Sequence, residues 1–256
     1  MPAIINITDE DITYSESILL KETQKFDDER VDFIKNFDTL DLQAVPGSGK
    51  TTVLLAKLLI LERYMPLKKN RGVLVLSHTN VAIDEITERI GKHCPKLFSF
   101  PNFIGTIQSF VDQFLAIPYY NTIVKKKPYR IDNEIYDEQI EKYSLPYGAN
   151  NWVNQKRDPL KFLKDLRLDE NSLLTSGVNK NAEDFELKNP ETPTYKALVK
   201  MKKTILTRGY LHFDDAYLLA FKSLNDYPKL KKFFKKGLSM FLLMRCRIWI
   251  SISMIY

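Results

Sequence analysis

Residues 42–61 read Leu42-Gln43-Ala44-Val45-Pro46-Gly47-Ser48-Gly49-Lys50-Thr51-Thr52-Val53-Leu54-Leu55-Ala56-Lys57-Leu58-Leu59-Ile60-Leu61. A short apolar lead-in, a glycine-bearing turn and a long apolar run are the pattern of a strand, a phosphate-binding loop and a helix. Gly47 and Gly49 carry no side chain to clash, so successive backbone N–H groups can turn inward around an anion. The helix expected from Lys50 adds its positive dipole end to the same place. Lys50 is expected to reach the β- and γ-phosphates of a nucleoside triphosphate, and the Thr51 hydroxyl to ligate Mg²⁺. Ala44 stands where the motif usually begins with glycine. The whole segment Ala44, Val45, Pro46, Gly47, Ser48, Gly49, Lys50, Thr51 and Thr52 is the candidate nucleotide site.

Working outward, residues 26–37 carry apolar groups at helical spacing, and 38–44 form a short strand-like run into the loop. Gly72-Val73-Leu74-Val75-Leu76-Ser77 predicts a strand buried on both faces. Residues 80–92 predict an amphipathic helix capped by Thr79 or Asn80. Phe103–Thr106 predicts a third strand, and Ser109–Leu115 a helix. Alternating strands and helices predict a parallel sheet with crossover helices. From 118 to 208 lysine, tyrosine, asparagine and proline dominate, strand signals are few, and Asp158–Leu168 and Thr194–Leu206 predict helices around a loop at 170–193. Phe213–Leu224 predicts a further amphipathic helix.

Composition sets bounds. The 256 residues are 44% hydrophobic and carry a net charge of +6, with a pI near 9.0; such a chain can bury a core and suits an anionic partner such as nucleic acid. Cys94 and Cys246 show no metal spacing and His78, His93 and His212 do not cluster, so reduced thiols in a cytoplasmic protein are expected. The polar, acidic N-terminus does not resemble a signal peptide. The apolar stretch 238–256 is interrupted by Arg245 and Arg247, and no membrane partner is expected.

Three further segments follow the phosphate loop in order: Ser77-His78-Thr79-Asn80-Val81-Ala82 with Glu85 and Arg89 beyond it, Gly105-Thr106-Ile107-Gln108-Ser109-Phe110, and Phe213-Asp214-Asp215-Ala216-Tyr217-Leu218-Leu219. Together with AVPGSGKTT they resemble the first RecA-like lobe of UvrD/Rep-type superfamily 1 DNA helicases. The resemblance implies an α/β P-loop NTPase fold with an inserted, mostly helical subdomain. It divides the chain into an N-terminal extension (1–25), the first part of the ATP-binding lobe (26–115), the insertion (116–208) and a return to the lobe (209–236). It implies ATP and Mg²⁺ as cofactors, with Lys50 and Thr51 in the catalytic roles. It also implies single-stranded or partly duplex DNA as partner, with Thr79, Asn80, Thr106, Gln108, Ser109 and Phe110 along the strand's track. Short hydroxyl and amide side chains suit phosphates, and an aromatic suits a base. Bland readings stand beside these: Asn80 and Ser109 as helix caps, Phe110 as core, Asp214 and Asp215 as a solvated helix start, Lys125-Lys126-Lys127 as a solvated charge run. The chain departs from the family at two points: Gln108 stands where histidine is common, and Glu29-Arg30 occupies the register of the adenine-reading glutamine.

ATP hydrolysis also needs an acidic pair at a strand end to hold Mg²⁺ and orient water. The resemblance places it near 240, yet the sequence contains no Asp or Glu after Asp226. Joining the third base of each codon to the first two bases of the next makes Trp249-Ile250 and Met254-Ile255 read as aspartate. It also allows DEMQDMDIHQYD from Leu243 onward. The expectation is therefore that 237–256 is an out-of-frame tail on a truncated helicase gene and that the chain is catalytically incomplete. Two other readings stay open: a non-catalytic, nucleotide-dependent DNA-binding or regulatory module, and a P-loop kinase or NTPase unrelated to DNA.

Overall fold

A computed structural model describes residues 5–37, 49–177 and 182–244, giving backbone alone for 70, 235 and 237–244. The chain divides into two compact units, Met1–Ile107 with Lys229–Tyr256, and Gln108–Pro228.

The first unit opens with α1 (Asp9–Leu19), started by a reciprocal Thr8–Asp11 capping box, and α2 (Asp28–Lys35), started by Asp27. Helix α2 is thus shorter than the predicted 26–37, because the Asp27 carboxylate takes the Arg30 N–H at 2.9 Å and fixes the start there. The predicted strand at 38–44 lies outside the described residues. Helix α3 (Lys50–Arg63) is followed by strand β1 (Gly72–Ser77), α4 (Asn80–Ile90) and β2 (Phe103–Thr106). Strand β1 is buried along its whole length, as its unbroken apolar run requires. It pairs in parallel with β2, Leu74 facing Phe103 and Ser77 facing Thr106.

Helix α3 is packed against β1 and α4 through Leu55, Leu58, Leu59 and Leu61, and against α1 and α2 through Val53, Ala56 and Ile60. Two of its buried side chains are charged, and each meets backbone. Lys57 Nζ donates to the carbonyls of Phe33 (3.2 Å) and Asn36, and burial lowers its pKa to about 8. The Glu62 carboxylate accepts from the N–H groups of Lys96 (3.0 Å) and Leu97 (2.7 Å). Arg63 and Tyr64 both reach Asp11, each at 2.6 Å, and so tie α1 to the C-terminal end of α3.

The second unit begins at Gln108, within a continuous helical run of α5 (Ile107–Val111), a π-helical turn (Asp112–Ala116) and α6 (Ile117–Val124). The predicted helix at Ser109–Leu115 is therefore the N-terminal half of a longer element. Next come β3 (Arg130–Ile131), α7 (Asn133–Glu141), α8 (Tyr147–Asn154) and α9 (Pro159–Asp165). Strand β4 (Leu166–Leu168) pairs antiparallel with β5 (Leu174–Ser176). The expected helix at Asp158–Leu168 thus stops at Asp165, and the span read as a loop contains a strand. Leu166 and Leu174 are both fully buried in the unit's core, so tertiary burial outweighs the local pattern there. Helix α10 (Pro193–Arg208), β6 (Tyr210–Leu211), which pairs with β3, and α11 (Phe213–Asp226) complete the unit.

Asp214 and Asp215, expected as a solvated helix start, are instead part of a partly buried polar cluster. Arg167 Nε donates to Asp214 at 2.7 Å and its Nη2 lies 2.9 Å from His212 Nε2. A guanidinium can only donate, so His212 Nε2 accepts and Nδ1 carries the proton. Nδ1 also lies 3.1 Å from the Asp214 N–H and 2.8 Å from the Asp214 carboxylate; a protonated Nδ1 makes the second contact and not the first. Burial would raise the Asp214 carboxyl, but the hydrogen bonds from His212 and Arg167 hold it at about 2. Asp215 is 4% exposed and accepts from the His212 N–H at 3.1 Å. Lys202, 2% exposed on α10, donates to the Tyr136 hydroxyl on α7.

The chain re-enters the first unit at Lys229, in α12 (Pro228–Gly237), and continues as β7 (Leu238–Met244). Strand β7 pairs parallel with β1, giving the sheet order β2-β1-β7, with an irregularity opposite Gly72 and Val73. A Cβ at Gly72 would lie 2.1 Å from the Pro101 carbonyl oxygen. Gly72→Ala should therefore lower unfolding free energy by about 2 kcal/mol through overpacking, measurable by urea denaturation.

Burial lowers the Lys202 pKa to about 8, against the partial compensation of Asp215. Between pH 8 and 10 the unfolded chain keeps this proton while the folded chain sheds it, so the group adds stability as pH rises. Above pH 10 the Tyr136 phenol, pushed up mainly by burial, acts in the opposite direction. Urea titrations at pH 8, 9 and 10 should show wild type gaining stability relative to Lys202→Met across this window.

Candidate nucleotide and nucleic-acid sites

Helix α3 starts on Gly49, whose φ of 83° is in the left-handed region that suits glycine. The first bond of the helix runs from the Val53 N–H to the Gly49 carbonyl at 3.1 Å. The amides of Thr51 and Thr52 precede that bond and have no carbonyl within the helix to pair with. Such amides at the positive end of a fourteen-residue helix suit an anion. Lys50, Thr51 and Thr52 are half-buried in this first turn. Ala44, Val45, Pro46, Gly47 and Ser48 lie outside the described residues.

Two arginines flank this turn. Arg89 Nη2 on α4 donates to Thr52 Oγ1 at 3.3 Å, while Arg89 Nη1 pairs with Glu85 at 3.6 Å. Arg30 on α2, which pairs with Asp27 at 2.6 Å, places Nε and Nη2 each 3.8 Å from where a Gly49 Cβ would stand. Neither arginine was assigned a role from sequence. The signal available for Arg30 was its place in the register where the family carries the adenine-reading glutamine. Arg89 had none beyond its spacing from Asn80, since a contact between two helices leaves no local pattern.

Thr79 and Asn80 are exposed where the fully buried β1 gives way to α4. Thr79 occupies the cap position, yet its side chain caps nothing; its N–H donates to Ser77 Oγ at 3.3 Å. Thr106 ends β2 and is in register with Ser77. Thr79, Asn80 and Thr106 thus stand at or just beyond the carboxyl ends of two adjacent parallel strands, where open α/β sheets bind ligands.

Gln108 opens the second unit, with Ser109 and Phe110 after it in α5. Gln108 Nε2 donates to Asp112 Oδ1 at 2.7 Å. Burial raises the Asp112 carboxyl to about 6, against the opposing hydrogen bond from Gln108. Ser109 is exposed, and the half-buried Phe110 ring lies 5.0 Å from that of Phe114. Lys125, Lys126 and Lys127 are all exposed.

Strand β7 contributes Leu238-Ser239-Met240-Phe241-Leu242-Leu243-Met244 beside β1 and brings no carboxylate. No helix among the described residues is long and apolar enough to cross a membrane.

No curated protein matches this sequence. The family model of the UvrD/REP helicase N-terminal domain matches residues 32–243, a span that contains residues 44–52, both strand-end segments and the FDDAYLL helix. With the mixed α/β architecture of parallel strands flanked by helices, that match makes this chain a member of the UvrD/REP helicase N-terminal domain family, an ATP-binding helicase-type domain.

Proposed function

We propose that the chain binds MgATP through residues 44–52 and single-stranded DNA through Thr79, Asn80, Thr106, Gln108, Ser109 and Phe110, as the N-terminal portion of a cytoplasmic ATP-dependent DNA helicase. The observation that carries the nucleotide reading is the left-handed Gly49 opening α3 with Lys50 and Thr51 in its first turn. The Lys50 ammonium would balance charge on the β- and γ-phosphates. The Thr51 hydroxyl would take one Mg²⁺ position, leaving the others to phosphate oxygens and water. In this reading 26–115 and 209–236 form the nucleotide-binding lobe and 116–208 its insertion, a span that falls inside the compact unit 108–228.

A second reading, a nucleotide-dependent DNA-binding module without turnover, is favoured by one feature: no Asp or Glu follows Asp226, so β7 offers nothing to hold Mg²⁺ or orient water. Both readings require nucleotide binding. Lys50→Ala should weaken binding of a fluorescent ATP analogue at least about tenfold, the effect of losing a charge-assisted contact. Unchanged affinity would refute the assignment.

Turnover separates the two readings. The purified chain should bind MgATP yet hydrolyse it well below about 1 s⁻¹, the lower end of ordinary enzyme rates. Phosphate release at or above that rate would restore the catalytic reading.

A further inference from the structure

We propose that Asp112 is a positioning residue that fixes the Gln108 carboxamide so that Gln108 reads an unpaired base rather than gripping a phosphate. The inference rests on the reading that the segment Thr106–Phe110 touches single-stranded DNA.

An ionised carboxylate can only accept hydrogen bonds, so the amide end of Gln108 that faces Asp112 is the NH₂ end. The bond is 2.7 Å long and charge-assisted, the strong class of such contacts. One of the two Gln108 N–H groups is consumed, and the rotation that would exchange Nε2 and Oε1 is blocked. The carbonyl oxygen thereby becomes the fixed acceptor of this side chain. A phosphate could take only the remaining Gln108 N–H and gains nothing from the carbonyl, whereas the edges of unpaired bases carry imino and amino donors for the carbonyl as well as acceptors for that N–H. The exposed Ser109 hydroxyl, next in sequence, is the donor suited to phosphate.

The setting of Asp112 supports this role. It is the first residue of the π-helical turn, a departure from α geometry that recurs at functional sites. Asp112 is half-buried. Helix α11 brings Tyr217 near it, and Asp112 helps to raise that phenol's pKa, though burial does so more. A carboxylate serving only as a solvated helix staple would not need desolvation.

The test compares the affinities of the full-length chain for a dT oligonucleotide and for an abasic strand of equal length, by fluorescence anisotropy at several salt concentrations. Gln108→Ala and Asp112→Ala should each lower the ratio of dT to abasic affinity about 3- to 10-fold, the worth of one hydrogen bond. The double variant should lose no more than either single one. Affinity for the abasic strand should stay within about twofold. Equal losses on both strands would make the pair a structural staple and overturn the proposal, as would losses that multiply in the double variant or an unchanged ratio. A wild-type chain that binds neither strand would overturn the DNA reading itself, a distinguishable result. Should a variant fail to fold, the Gln108 side-chain amide resonances of wild type decide: they should shift on adding the dT strand and not the abasic strand, and the reverse would refute the proposal.

Discussion

Every residue of α3 from Leu55 to Glu62 is buried, held between β1 and α4 on one side and α1 and α2 on the other. A helix enclosed on so many sides has little freedom to slide or rotate, because its neighbours are close-packed around it. The consequence falls at its N-terminal end. The backbone of Gly49, Lys50, Thr51 and Thr52 is thereby held by contacts made one to three turns away, and an anion at this end would meet first-turn amides that need no ordering. The two charges inside the packed stretch add to this. Lys57 secures the end of α2, and Glu62 secures the segment at Lys96 and Leu97, each through backbone partners that leave little alternative geometry.

The second unit solves a different problem. Its strands are two or three residues long, too short to bind its helices into one sheet. Beyond its apolar clusters, it carries buried and partly buried polar contacts among Arg167, His212, Asp214, Asp215, Tyr136 and Lys202, drawn from β4, α7, α10 and the start of α11. Such a cluster is stable only when each member finds a partner, and satisfied polar networks restrict the number of alternative packings. The FDDAYLL segment thus has a structural function at its acidic end within this unit.

Parts of this architecture were legible in the sequence because the signals were local. The unbroken run Gly72–Ser77, the strand Phe103–Thr106, and helices α3, α4, α10 and α11 all carry periodicity or caps within a single window. The misread parts depend on distant partners. Nothing between 166 and 176 announces a hairpin, because Leu166 and Leu174 are drawn into strand geometry by a core assembled from α7, α8 and α10. Asp214 and Asp215 look like an ordinary acidic first turn, and only the arrival of Arg167 from forty-seven residues earlier makes Asp214 part of a cluster. At the candidate sites, motif spacing is what singles out Lys50 and Thr51 in the sequence. It does not single out Arg89 beside Thr52 or Arg30 beside Gly49, since both contacts link separate helices.

Parallel pairing gives the nucleic-acid reading its geometry and the catalytic reading its difficulty. Because β1 and β2 run the same way with Ser77 opposite Thr106, the segments leaving both strands emerge at one edge of the sheet. A parallel ladder forces this, and an antiparallel one would send them to opposite edges. The same ladder sets Met244 of β7 opposite Ser77, so β7 reaches that edge too. An acidic pair carried there would stand at the level where β1 and β2 hand over to Thr79, Asn80 and Thr106. The residues present, Leu243 and Met244, can neither ligate a hard cation nor accept a proton from water. The register at that edge is set by the parallel backbone ladder between β7 and β1 and does not depend on which side chains β7 carries there.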